Sequence, residues 1–435
     1  MNPILHLARL GAAACLLAGG VANAQLSDTE KRIVAAVKQR TPAALELLER
    51  SVRVNSGTLN PEGVREVGRI FRDEFDAIGF KTRWLEMPAA MQRGGHLVAR
   101  REGSQGKRLM IIGHLDTVFE KNSPVASWEL HGDRVRGQGV SDMKGGDVIA
   151  IEALRALHQV GVLDNTSIEV IFTGDEERAG SPIETSRGEF VEIARRSDAA
   201  LAFEGSTRRD GMYMASYSRR SAGGWTLTVT AKPGHSAGVF GERSGYGAIY
   251  EAARILNAFR EKVIEPDLTF NPGNILGGTE VKFDDASAQG TAFGKTNVIA
   301  KEAIVHGDLR YLTPEQGERA RAKMREIAAA NLPHATATIT FRETYPPQAP
   351  STAGEKLLEL YSKASADAGL GPIGAFPPGG RGAGDVQFAA PYIAGLDGLG
   401  ALGSGAHTNN EDLELASIER GAIRAAILIY RMTRN

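Results

Sequence analysis

Apolar runs of strand type recur through the first half of this chain, and acids and histidines stand just after several of them. The runs fall at 96–100, 109–113, 168–173 and 199–203, and an amphipathic helical stretch over 146–160 separates the second from the third. Strands alternating with helices imply an α/β domain with a largely parallel sheet covered on both faces. Ligands in such sheets gather at the carboxyl ends of strands. His114 in GHLDT, Asp142 in SDMKGG, Glu177 in GDEE, Glu204 in AFEG and His407 in GAHTN occupy such places.

The rest of the chain fills in around that sheet. Residues 41–80 read as helix on both sides of a turn at Asn60-Pro61-Glu62, with apolar positions at helical spacing. From about residue 216 the pattern changes to β-α-β-β-α-β, the ferredoxin-like order, with helices over 245–263 and 314–330. A Pro-rich stretch at 345–350 then returns the chain to the α/β pattern. The expected division is a leader at 1–24, a first catalytic part at 25–215, an inserted dimerisation or lid domain at 216–343, and a second catalytic part at 344–435.

Charge and cysteine usage narrow the function classes. Lys plus Arg number 51 against 52 Asp plus Glu, so no single-sign field draws nucleic acid or an anionic membrane. Residues 1–24 carry Arg9, an apolar stretch too short to span a bilayer comfortably, and a small-x-small site at Ala22-Asn23-Ala24. They read as a cleaved secretory signal, which makes the protein periplasmic or secreted. Cys15, the one cysteine, leaves with it.

Two imidazoles and three carboxylates form a hard-to-borderline ligand set suited to zinc, and one carboxylate can bridge two ions. Asp116, two residues past His114, is placed to accept the second ring N–H and fix the imidazole tautomer. Asp142 also suits the N-cap of the helix that follows it. The triplet Asp175-Glu176-Glu177, after the apolar strand IEVIF, repels itself unless cations neutralise it. Neighbouring glutamates can then divide the work, one coordinating and the other moving a proton to a leaving nitrogen.

In this order and spacing, the HLDT, SDMKGG, DEE, FEG and GAHTN segments resemble the dinuclear zinc exopeptidases of metallopeptidase family twenty. That family includes glutamate carboxypeptidase, acetylornithine deacetylase, succinyl-diaminopimelate desuccinylase and aminoacylase. The resemblance implies two zinc ions per subunit, with cobalt and manganese fitting the same ligands. One ion would be held by His114, Asp142 and Glu204, the other by Asp142, Glu177 and His407. Glu176 would be the general base and Asp116 would orient His114. The inserted domain would form a homodimer, and His235 in KPGHSAG would stabilise an oxyanion in the partner's site. Asn297 in KTNVI and Arg310 in GDLRY match substrate-binding positions. Gly384-Asp385 matches a site-lining segment, but this chain lacks its usual hydroxyl and adds Arg381.

The segments VRVNSGT, TGDEE and TNVI bring the glutamate carboxypeptidase group nearest. The expected reaction is therefore hydrolysis of the amide bond to a C-terminal amino acid, glutamate being the expected one, in a small peptide or N-acyl amino-acid substrate. An N-acyl amino-acid hydrolase or dipeptidase on the same metals is the alternative. A non-catalytic periplasmic metal- or peptide-binding protein is a third reading, and the proton-moving Glu176 weighs against it. GLGALG at 398–403 mimics a dinucleotide fingerprint but opens no βαβ unit. GTAFGKT falls one residue short of a phosphate loop.

Overall fold

The first helix starts earlier than the apolar spacing announces. In the computed structural model, which describes residues 26–125, 127–285 and 288–434, it runs Asp28–Val52 and passes through Pro42. Ser27 and Glu30 explain the early start, each side chain taking the other's backbone N–H in a capping box. The second helix, Pro61–Ala77, begins where the turn was expected, with Asn60 as cap and Pro61 in its first turn. The leader expected at 1–24 lies outside the described residues.

Six strands make the main sheet, in the order Lys81–Leu85, His96–Arg101, Thr166–Thr173, Gln105–His114, Ala199–Ala202, Gly395–Leu396. The last four run parallel, whereas the first two pair antiparallel, so the sheet is mixed at one edge. Alternate residues divide between its faces. Leu109, Ile111, Val170 and Phe172 join the larger core, with the helices Asp28–Val52, Pro61–Ala77, Gly145–Val160 and Ala416–Met432. Met110, Ile112 and Ile171 pack instead with Phe190, Ile193 and Phe388. Phe71 and Phe75 meet Phe172 edge-on, and burying each such ring contributes roughly 1.5–3 kcal/mol.

The inserted domain has its own core and follows the expected element order. Its antiparallel sheet is ordered Thr269–Gly278, Glu302–Arg310, Ala222–Ala231, Ala335–Tyr345. Trp225, Leu227, Val229 and Val305 face the helices Ala248–Lys262 and Pro314–Ala329. The last strand continues to Tyr345, through the boundary expected at residue 343. A hairpin of Glu280–Asp284 with Gln289–Phe293 is an addition the element pattern did not announce. Among the described residues, no helix is long and apolar enough to cross a membrane.

Candidate metal centre

Strand ends deliver most of the expected ligands to one place. His114 closes the strand Gln105–His114, and Glu177 and Glu204 follow Thr166–Thr173 and Ala199–Ala202. Asp142 lies in the tight turn Val140–Lys144 that leads into the helix Gly145–Val160. Glycine is required there, since a Cβ on Gly146 would collide with the carbonyl oxygen of Phe203, one residue before Glu204. His407 arrives from the loop between Gly403–Ser404 and Asp412–Glu414, with a left-handed φ of 65°. A non-glycine residue in that region stores strain of the kind that collects at functional sites.

The five side chains form two overlapping trios. His114, Asp142 and Glu204 make one and Asp142, Glu177 and His407 the other, with ligand atoms within 4.8 Å of one another in each. Asp142 turns one oxygen to each side: Oδ1 is 3.3 Å from His114 Nε2 and Oδ2 is 3.1 Å from His407 Nε2. Glu204 Oε1 lies 3.5 Å from His114 Nε2, and Glu177 Oε2 lies 3.1 Å from His407 Nε2. His114 Nε2 and Glu177 Oε1 are buried without a hydrogen-bond partner, a condition that native structures rarely leave unexplained. Imidazole and carboxylate donors aimed inward at this spacing fit one divalent cation in each trio.

Protonation reflects the same shortage of positive charge. Hydrogen bonds to the Asp142 and Glu177 carboxylates push the His407 imidazole up to about 11. Burial opposes charge on His114, but Asp116, Asp142 and the fields of Glu204 and Glu176 hold it well above its ordinary value. Burial, joined by the neighbouring Asp142, lifts Glu204 to about 8. Glu176 is raised well above the usual carboxyl range, by burial first and by repulsion from Glu204, Asp385 and Glu177 against the pull of His114. Carboxylates that hold protons and imidazoles that keep them mark a place where cations belong.

The supporting residues differ in part from the expectation. The nearest acceptor to His114 Nδ1 is the backbone carbonyl of Asp116 at 3.0 Å, with its carboxylate Oδ1 at 3.5 Å. That carboxylate instead accepts the backbone N–H groups of Glu176 and Glu177, at 3.0 and 3.2 Å, and the Thr58 hydroxyl at 2.6 Å. Asp116 therefore fixes the GDEE turn as much as the imidazole. Glu411, which motif reading passed over, accepts the N–H groups of Gly139, Ser141 and Asp142 and so shapes the Asp142 turn. Its signal was its place four residues past His407. Beneath the turn, Arg187 joins Asp175 at 2.5 Å to Asp385 at 2.9 Å, and the Tyr345 hydroxyl donates to the Glu176 carbonyl at 3.0 Å. No side-chain hydrogen bond or ion pair holds the Glu176 carboxylate among the described residues.

Three expected residues belong to the inserted domain and are not bonded to this cluster. His235 is exposed, its Nδ1 accepting from Ala237 N. It pairs in register with Val298, and the Asn297 carbonyl accepts from Ser236 N, so the structure puts His235 and Asn297 side by side. Arg310 donates to Asp308 at 2.8 Å, so part of its guanidinium is already engaged.

Two overlapping acid–histidine trios at strand ends, with a free glutamate beside them, define the class of dinuclear metal-dependent hydrolases. The chain belongs to peptidase family M20/M25/M40, whose model matches residues 110–431. It is 28% identical to carboxypeptidase G2 of Pseudomonas sp. (strain RS-16), over 99% of this chain and 98% of that one. It is 25% identical to the succinyl-diaminopimelate desuccinylase of Gluconobacter oxydans, over 79% of this chain and 86% of the relative. Solved structures share the fold. Aminopeptidase PepT of Bacillus cereus matches with a TM-score of 0.71 and 19% identity, covering 90% of this chain and 98% of that one. A dinuclear metal-binding M20 peptidase of Bacillus subtilis matches at 0.62 and 14% identity, covering 91% and 99%. The protein is therefore a metallopeptidase or amidohydrolase acting on peptide or amide bonds.

Proposed function

We propose that this protein is a zinc-dependent exopeptidase that hydrolyses the amide bond to a C-terminal amino acid, with glutamate the favoured residue. The observation that carries the reading is Glu176, half-buried and with no side-chain hydrogen bond or ion pair among the described residues, beside two trios that share Asp142. Similarity to carboxypeptidase G2 over nearly the whole chain supports the choice of reaction. Bound divalent cations would lower the pKa of water and polarise the scissile carbonyl. The chain's residues divide the remaining work. Glu176 takes the proton from the attacking water and passes it to the departing nitrogen. Asp116 and Tyr345 hold its backbone for that transfer. His235 stabilises the oxyanion across a dimer, Asn297 binds the substrate, and Arg310 grips its carboxylate.

Exposed Ile249, Tyr250 and Phe240 on the inserted domain, beside the edge strand Thr269–Gly278 with its exposed Ile275, support a homodimer at that face. The signal read in residues 1–24 supports export, which N-terminal sequencing of periplasmic material starting at Gln25 would establish. A panel of N-blocked amino acids and dipeptides, scored by product with zinc-reconstituted enzyme, tests the reaction. Release of free glutamate is the expected result. The desuccinylase relatives favour a second reading, an N-acyl amino-acid hydrolase, for which N-acyl amino acids, each giving one acyl acid and one amino acid, would be cleaved in preference to dipeptides. Mixed dimers carrying Glu176→Gln in one copy and His235→Ala in the other should regain part of the activity each lacks.

A further inference from the structure

Three arginines converge on the loop 378–384, and among the described residues only one of them meets a carboxylate. Arg219 forms an ion pair with Asp397 and donates to the Gly382 carbonyl at 2.8 Å. Arg220 reaches only the Gly379 carbonyl, at 3.4 Å, and the Thr269 hydroxyl, at 3.1 Å. Arg381, within the loop, donates to the carbonyl of Gly205, the residue after Glu204. Its Nη1 is buried with no partner, as is Nε of Arg220. Gly398 makes the space for Arg381, since a Cβ there would meet that Nη1.

A guanidinium withdrawn from water is costly unless an anion meets it. Burial and the neighbouring Arg219 hold the Arg381 pKa below its ordinary value, while Asp397, Glu204 and Asp142 oppose that shift. None of these acids is free to pair with it: Asp397 is held by Arg219, and Glu204 and Asp142 are the donors of a cation site. Thr269, which Arg220 touches, pairs in register with Arg310, so the positive charge extends toward the inserted domain.

We propose that Arg381, with Arg220 beside it, forms an anion subsite on the Glu204 side of the metal centre. It selects substrates that carry a carboxylate besides the one at the C-terminus. The inference rests on the hydrolytic reading above and deepens it. Two matched pairs locate the acid: N-benzoylglutamate against N-benzoylglutamine places it on the departing amino acid, and N-succinyl-leucine against N-butyryl-leucine on the acyl side. The zinc-loaded enzyme should favour the acidic member of one pair by about ten- to a hundredfold in kcat/KM, the range of one charge-assisted hydrogen bond. Arg381→Met should bring that ratio close to one, with Arg381→Lys retaining part of it. Calorimetry supplies a readout apart from turnover: glutarate should bind the zinc-loaded protein about tenfold more weakly after Arg381→Met, at unchanged zinc content. Arg220→Gln is the second variant, should Arg381→Met melt below the assay temperature. Equal rates within both pairs for the unmodified enzyme would overturn the proposal. So would an acid preference and glutarate affinity untouched by both substitutions. If none of the four amides is cleaved, the hydrolytic reading fails, and the glutarate titration alone decides for or against the subsite.

Discussion

Asp175 and Glu177 are two residues apart, yet they end in opposite kinds of acidic cluster. Asp175 lies fully buried against Arg187, which also binds Asp385, while Ser186 and the Gly180 N–H complete its shell. Burial opposes its charge, but the Arg187 guanidinium brings its pKa down to about 2. Glu177 faces Asp142 and the His407 imidazole, and its pKa rises through burial although His407 pulls it down. One cluster is closed by a cation the chain carries. The other is built for cations the chain must acquire. The difference separates a foundation from a working site, and it can be tested from both sides.

Glu176→Gln should give the largest effect. Removing the proton carrier should lower kcat by about a hundred- to ten-thousandfold, with zinc content by elemental analysis nearly unchanged; near-normal turnover would remove Glu176 from the chemistry. Arg187→Met attacks the closed cluster and leaves Asp175 and Asp385 buried without a counter-charge. Denaturant unfolding should show a loss of about 3–5 kcal/mol, and a stability equal to the parent's would mean the pair is dispensable. Glu411→Gln loosens the turn that presents Asp142. It should weaken metal binding about ten- to a hundredfold in chelator competition, and the metal-free melting temperature should move less than the metal-loaded one.

The smallest effect concerns His96, which is buried beside the closed cluster. Gly174 N–H donates to its Nδ1 at 3.1 Å, so Nε2 carries the hydrogen that meets the Ser186 carbonyl at 2.9 Å. Burial, reinforced by Arg187 and only partly offset by Asp175, holds its pKa below 6.5. An imidazole kept neutral in the fold takes up its proton more readily when unfolded. Its contribution is therefore full above pH 6.5 and falls as the pH drops further, by at most about 1.4 kcal/mol per pH unit. Stability measured between pH 7 and 5 should decline less steeply in His96→Gln.

What could be read in advance follows the range of the forces involved. Helix starts and strand runs rest on local capping and alternation, so the α/β order and the β-α-β-β-α-β insert were legible. The early start at Ser27 was missed because its signal is a single reciprocal pair rather than a periodic pattern. The edge strand Lys81–Leu85 was missed because it is only half covered and shows little apolar bias. Among site residues, those standing after apolar runs were visible. Glu411, Thr58 and Arg187 were not, because they act through hydrogen bonds to backbone atoms or acids far along the chain.

The residue types, their order and their places after strands were enough, from the sequence alone, to name a metal-bearing α/β hydrolase with an inserted second domain. Only the folded chain decided which acids would keep a resident cation and which would face inward without one. That outcome depends on distances of a few ångströms between segments hundreds of residues apart, and on burial that turns each unpaired charge into a demand for a partner. Linear spacing carries neither quantity, which is why Asp175 and Glu177 look alike in the chain and differ in the molecule.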